Sequence, residues 1–197
     1  MPDLIVVSGP PGAGKSTVAA ALSRLFEASA LVSGDHFFGF IDQGYIDPWT
    51  SPAHDQNEVV TQAAGAAAGR LAAAYTVIYD GVIGPWYLEA FRAATGLPSL
   101  HYAVLLPPEP LCLERVRSRG GHGLTDQEAT RHMHRQFAAD RPEPRFVITE
   151  PGAAATQARR IHGLVQAGQL RWPAAGRGPA VLPPAGRPGQ TGWNSTR

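Results

Sequence analysis

The sequence predicts a layered α/β fold, a parallel sheet covered by helices on both faces. Three observations carry this expectation. Five short β-branched runs alternate with longer helical stretches through residues 1–168. The first run opens onto a glycine-rich loop that leads into a helix. The composition, 44% hydrophobic and 17% charged over 197 residues, suits one domain able to bury a sizeable core.

The strand candidates are 4–7, 30–33, 76–79, 101–106 and 145–149, short and apolar enough for buried parallel strands. Helices are expected over 16–26, 53–74, 86–94, 111–119 with 126–139, and 153–166. The final 29 residues, 169–197, hold five prolines, five glycines and four arginines, and neither period. They read as a disordered tail beyond a 1–168 domain.

Net charge is +1, so no overall basic field asks for DNA or RNA. Residues 1–168 hold 13 basic and 16 acidic side chains, a net of −3, against +4 in the tail. The tail either meets an anionic partner or is a solvated extension. The single cysteine, Cys112, excludes an intramolecular disulfide and reads as a small core residue in a reducing compartment. The N-terminus lacks the pattern of a signal peptide, and the apolar window 63–74 is too short to span a bilayer. A cytoplasmic protein without a membrane partner is expected.

The strongest motif is Gly9-Pro10-Pro11-Gly12-Ala13-Gly14-Lys15-Ser16, followed by Thr17, a full Walker A match between a predicted strand and a predicted helix. Phosphate oxygens need several convergent N–H donors, and glycines let the backbone turn tightly enough to present them at a positive helix N-terminus. Lys15, the only lysine in the chain, is placed to bridge the β- and γ-phosphates, and Ser16 to give its hydroxyl to Mg²⁺. ATP and Mg²⁺ are therefore the expected cosubstrate and metal. With no second lysine, the chain cannot build the Asn-Lys-x-Asp element that reads guanine. Asp80 is followed by Gly81 rather than a second acid, which departs from the acidic pair of ring-forming ATPases.

Ligands of open parallel sheets gather at the carboxyl ends of the strands. Asp35 and Asp80 both follow predicted strands. One carboxylate to hold the water shell of Mg²⁺ and one to accept a hydroxyl proton would complete a phosphotransfer site. Turn or cap aspartates are the alternative.

With Ser33-Gly34-Asp35 and Asp80-Gly81, the phosphate loop resembles the adenylate-kinase-like P-loop kinases, among them the shikimate, gluconate and chloramphenicol kinases. The resemblance covers residues 1 to about 168. It implies a three-layer P-loop NTPase fold with a five-stranded parallel sheet in the order 2-3-1-4-5 and a short lid. It also implies that Asp35 binds and deprotonates the acceptor and that Asp80 supports magnesium. Residues 113–119 are similar to the helix end that brings lid arginines over the nucleotide, with 120–124 as the lid tip. Arg115 and Arg119 would then be the catalytic cations, a guanidinium clamp on a mobile segment. A solvated charged face paired with Glu114 is the alternative.

Departures from the family point to the acceptor. Kinases of nucleoside monophosphates carry arginines three residues after the Asp35 position and just after Asp80-Gly81; this chain has Phe38 at the first and no arginine from 80 to 86. The region is aromatic instead. Phe37, Phe38, Phe40, Tyr45, Trp49, Trp86 and Tyr87 are 7 of the chain's 16 aromatic residues. Flat rings with few polar anchors suit a small, uncharged, partly apolar alcohol, with Asp35, Phe37, Phe38 and Trp86 as its contacts. Ordinary packing is the competing explanation for the rings. His132 and the other histidines outside the acceptor segment read as structural or surface residues. The function expected is an ATP- and Mg²⁺-dependent small-molecule kinase. The alternatives are a nucleoside or nucleotide kinase, or a non-enzymatic ATP-binding sensor.

Overall fold

A computed structural model describes residues 3–118, 126–140 and 142–173. Its sheet holds β1 (Leu4–Ser8), β2 (Ser29–Ser33), β3 (Thr76–Asp80), β4 (Leu100–Leu105) and β5 (Val147–Ile148), ordered β2-β3-β1-β4-β5 with every neighbour parallel. This is the P-loop NTPase topology expected from the sequence. β1 and β4 are buried throughout, as continuous apolar runs with helices on both faces must be. Truncating a buried Val6 or Ile5 to alanine would cost about 2–5 kcal/mol. β2 is the edge strand, and its Leu31 stays 49% exposed.

Helices α1 (Lys15–Ser23), α2 (Asp35–Phe38), α3 (His54–Leu71), α4 (Pro85–Thr95), α5 (Glu109–Ser118), α6 (Gln127–Ala139) and α7 (Ala154–Gln166) complete the described part. α3 and α4 pack closely because the alanine-rich face of α3 carries Gly65 and Gly69. A Cβ on Gly69 would lie 2.0 Å from the Thr95 carbonyl oxygen, so a larger residue would push the two helices apart. α4 starts on Pro85 and stops at Gly96, whose φ of 69° suits a left-handed helix end. Asp126 caps α6 by accepting from the amides of Glu128 at 2.8 Å and Ala129 at 3.3 Å.

The structure departs from the sequence expectation in three places. β5 covers two residues, because Pro144 begins a 3-10 turn over Pro144–Phe146 where strand was expected. The one-turn α2 is too short to leave a period in the sequence. Order also continues past residue 168: Leu170 is buried, and a sixth strand, β6 (Arg171–Trp172), pairs antiparallel with the start of β4. The Arg145 guanidinium holds this return by donating to the carbonyls of Gln169 and Arg171. The expected tail from 174 onward lies outside the described residues. Among the described residues no helix is long and apolar enough to cross a membrane.

His101 lies beneath this return on β4, its Nε2 3.7 Å from an Asp3 carboxylate oxygen. Its Nδ1 is buried with no partner among the described residues. Burial holds the imidazole below its ordinary value of 6.5, with Asp3 opposing and Arg171 assisting. The folded chain therefore binds fewer protons here than the unfolded one. This contribution to stability is present above pH 6.5 and is lost as the pH falls toward the lower folded value. Melting temperature should drop between about pH 7.5 and about pH 5, and His101→Gln should flatten that dependence.

Candidate active site

β1 ends in a loop with three glycines at positive φ: Gly9 at 138°, Gly12 at 76° and Gly14 at 96°. Gly12 also lies against α5, where an added Cβ would sit 2.2 Å from the Cys112 carbonyl oxygen. Backbone freedom and close approach thus both require glycine at this position. Gly14 caps α1 without a side chain, so the first-turn amides of the helix are left for a ligand. Two cations hang on the carbonyls of the loop. Lys15 Nζ donates to Pro10 at 3.0 Å, and Arg115 Nη1, reaching across from α5, donates to Gly12 at 3.3 Å and Ala13 at 3.4 Å. Burial pushes the Cys112 thiol up, as expected of a core thiol behind this loop.

The loop separates two cavities. The larger, about 870 Å³, lies toward α2, α3, α4 and α6 and is lined by Lys15, Ser16, Asp35, Phe38 and Trp86 among others. The smaller, about 350 Å³, lies between the loop, Arg115 and the segment entering α7, and is lined by Gly14, Thr17, Pro151, Gly152 and Gln157 among others. Gln157 Nε2 donates to the Glu150 carbonyl at 2.6 Å, which fixes the wall of the smaller cavity.

Backbone register brings the two strand-end aspartates near one another. Ser33 pairs with Asp80 across β2 and β3, and the Gly34 amide donates to the Asp80 carbonyl at 2.7 Å. Asp35 is exposed and lines the larger cavity, while Asp80, 8% exposed, sits at the buried strand end. The turn that carries Trp86 is tied to the sheet through Ile83: its amide donates to Ser8 Oγ at 3.0 Å, and its carbonyl accepts from Ser8 at 2.7 Å and from the Tyr102 hydroxyl at 2.6 Å. Trp86 then leans on Phe137 of α6, ring centroids 5.3 Å apart.

The structure separates the two phenylalanines expected at the acceptor. Phe38 lines the cavity, but Phe37 packs on the core and edge-on against Phe40, because neighbours on a helical turn point about 100° apart. Of the lid residues, Arg115 reaches the loop; Arg119 and 120–124 lie outside the described residues. Arg131 of α6 pairs with Glu128.

Sequence reasoning missed Asn57, Thr61 and Tyr79 and treated His132 as peripheral, yet all four line the larger cavity. Met133 and Gln136 join His132 from α6, and the i, i+4 pair His132–Gln136 was the available signal. His134 turns elsewhere, its Nε2 2.9 Å from the Pro107 carbonyl oxygen. Burial raises the phenols of Tyr45, Tyr79 and Tyr87, and carboxylates raise them further: Asp47 and Asp35 at Tyr45, Asp35 and Asp80 at Tyr79, Glu58 and Asp55 at Tyr87. At Tyr87 a hydrogen bond with Asn57 works in the opposite direction.

A family described as an AAA domain matches residues 4–144, from the first strand to the end of α6 and just beyond. The chain belongs to this P-loop family. Solved structures share its fold at low identity. A sugar kinase from Janibacter sp. HTCC2649 is 17% identical with a TM-score of 0.64, over 84% of this chain and 95% of that one. The APS kinase of Mycobacterium tuberculosis, solved with AMPPNP and APS, is 17% identical with a TM-score of 0.60, over 84% and 98%. Shikimate kinase from Acinetobacter baumannii, solved with shikimate, is 21% identical with a TM-score of 0.54, over 86% and 96%. No curated protein matches the sequence significantly.

Proposed function

We propose that this chain is an ATP- and Mg²⁺-dependent kinase that transfers the γ-phosphoryl group to a hydroxyl of a small, partly apolar molecule carrying no anionic group. One observation carries the reading: two cavities of unequal size meet at a single phosphate loop, with Lys15 and Ser16 on the side of Asp35. The smaller cavity suits the nucleoside end of the donor and the larger suits the acceptor. Neighbours in fold carry ligands of both kinds: the APS kinase structure holds AMPPNP with APS, and the shikimate kinase structure holds shikimate.

In the proposed reaction the loop amides and Lys15 hold the β- and γ-phosphates. Asp35 hydrogen-bonds the acceptor hydroxyl and takes its proton as the oxygen attacks the γ-phosphorus. One O–P bond forms, the bond from the γ-phosphorus to the bridging oxygen breaks, and ADP leaves with that electron pair. Arg115, already on the loop, lies where a guanidinium would offset charge on the phosphates.

The donor set fits Mg²⁺. Among the described residues no group of three or more His, Cys, Asp or Glu side chains could hold a metal unaided. Mg²⁺ takes one or two protein ligands and completes its shell with phosphate oxygens and water. Ser16 would supply the hydroxyl and Asp80 the supporting carboxylate; when bound, the ion neutralises charge on the phosphates. A phosphate-bearing acceptor is disfavoured because no arginine is among the described residues lining the larger cavity. Incubation with ATP, Mg²⁺ and a panel of alcohols should give acceptor-dependent ADP release and a new phosphate-ester signal in ³¹P NMR. Binding of ATP with no ester from any alcohol would favour the sensor alternative.

A further inference from the structure

The charge around the larger cavity narrows the acceptor, an argument that rests on the kinase reading. Of the described residues lining it, Lys15 alone is a lysine or arginine and Asp35 alone a carboxylate. With a nucleotide bound, Lys15 faces its phosphates. The acceptor then meets one carboxylate and the rings of Phe38, Tyr45, Trp49, Trp86 and Tyr87.

The segment that carries Phe38, Tyr45 and Trp49 is rich in carboxylates and lacks lysine and arginine. Residues 35–69 contain five carboxylates, Asp35, Asp42, Asp47, Asp55 and Glu58, and no lysine or arginine. None of the five has an ion-pair partner among the described residues. The field of four of them reaches the cavity rings: Asp47 and Asp35 act on the Tyr45 phenol, and Glu58 and Asp55 on that of Tyr87. Aromatic faces combined with negative potential attract organic cations and repel anions.

We propose that the acceptor is an amino alcohol, whose hydroxyl lies at Asp35 and whose ammonium rests against the rings of Tyr45 and Trp49, on the segment that also carries Asp47. This replaces the uncharged alcohol expected from the rings alone. Aromatic content gives the apolar part of the acceptor, while the missing cations across 35–69 give its sign.

The test uses matched pairs: 2-amino-1-phenylethanol and its N-acetyl derivative, heading a panel of aryl amino alcohols each with its N-acetyl partner. Each compound is titrated into the full chain with AMPPNP and Mg²⁺, and binding is read by ligand-observed NMR. Free amines should bind about tenfold tighter than their partners, and salt should narrow the gap. Asp47→Asn or Trp49→Leu should each erase most of that preference while leaving AMPPNP affinity unchanged. Equal binding within pairs, tighter N-acetyl binding, or no binding by any amine overturns the proposal. Replacing AMPPNP with ATP separates the two readings. Amine preference without ester formation upholds the charge inference and defeats the kinase reading; transfer to N-acetyl partners alone does the reverse.

Discussion

Lys15→Ala is expected to lower the proposed ATP-dependent phosphoryl transfer by about a hundredfold or more, the scale seen when one preorganised charge stabiliser is removed. The expectation rests on the lack of a second lysine or arginine beside it among the described residues of the larger cavity. Lys15 is the only lysine in the chain, and of the described residues lining the larger cavity none is an arginine. Arg115 donates to the carbonyls of Gly12 and Ala13 from the other side of the loop, so its share of the phosphate charge does not replace that of Lys15. The side chain is partly exposed, so its truncation leaves the fold intact. Circular dichroism and melting temperature should match the parent while ADP release and nucleotide affinity fall. Normal turnover by this variant would remove the phosphate-loop account.

Asp35→Asn separates donor from acceptor chemistry. Its carboxylate is exposed at the start of α2, facing the larger cavity, and the amide retains the shape without the ability to take a proton. Transfer to the acceptor should fall by about 10²–10⁴-fold, the usual contribution of a general base. Affinity for ATP should be unchanged, because Asp35 lies outside the smaller cavity. Single-turnover kinetics check the assignment: the transfer step itself should slow while nucleotide binding does not. Transfer at the parental rate by the Asp35→Asn chain would move the base to another residue.

How much of this was legible in the sequence depended on how local the signal was. The phosphate loop announces itself, since strand, glycines, lysine and helix are contiguous. The five parallel strands were readable from apolar runs, but their order came from resemblance, because strand neighbours pair over long sequence separations. Asp35 and Asp80 could be found as strand-end carboxylates. That Gly34 docks on the Asp80 carbonyl is a tertiary fact.

The lining of the larger cavity was half visible. Tyr45 and Trp49 lie close to Asp35 in sequence, whereas His132, Met133 and Gln136 arrive from α6 only because the chain returns over the site. Phe37 misled for the opposite reason. A four-residue helix has no periodicity to show which ring faces inward. β6 escaped notice because two residues before a proline have no strand pattern, and only pairing with β4 creates one.

The account stands on a loop that grips the phosphates of ATP. Isothermal titration of ATP into the full chain with Mg²⁺ present measures this directly, without knowledge of the acceptor. The account requires a saturable heat at one site per chain, strongly reduced in Lys15→Ala. Folded protein that gives no heat on addition of ATP, or an undiminished heat in the variant, would contradict it.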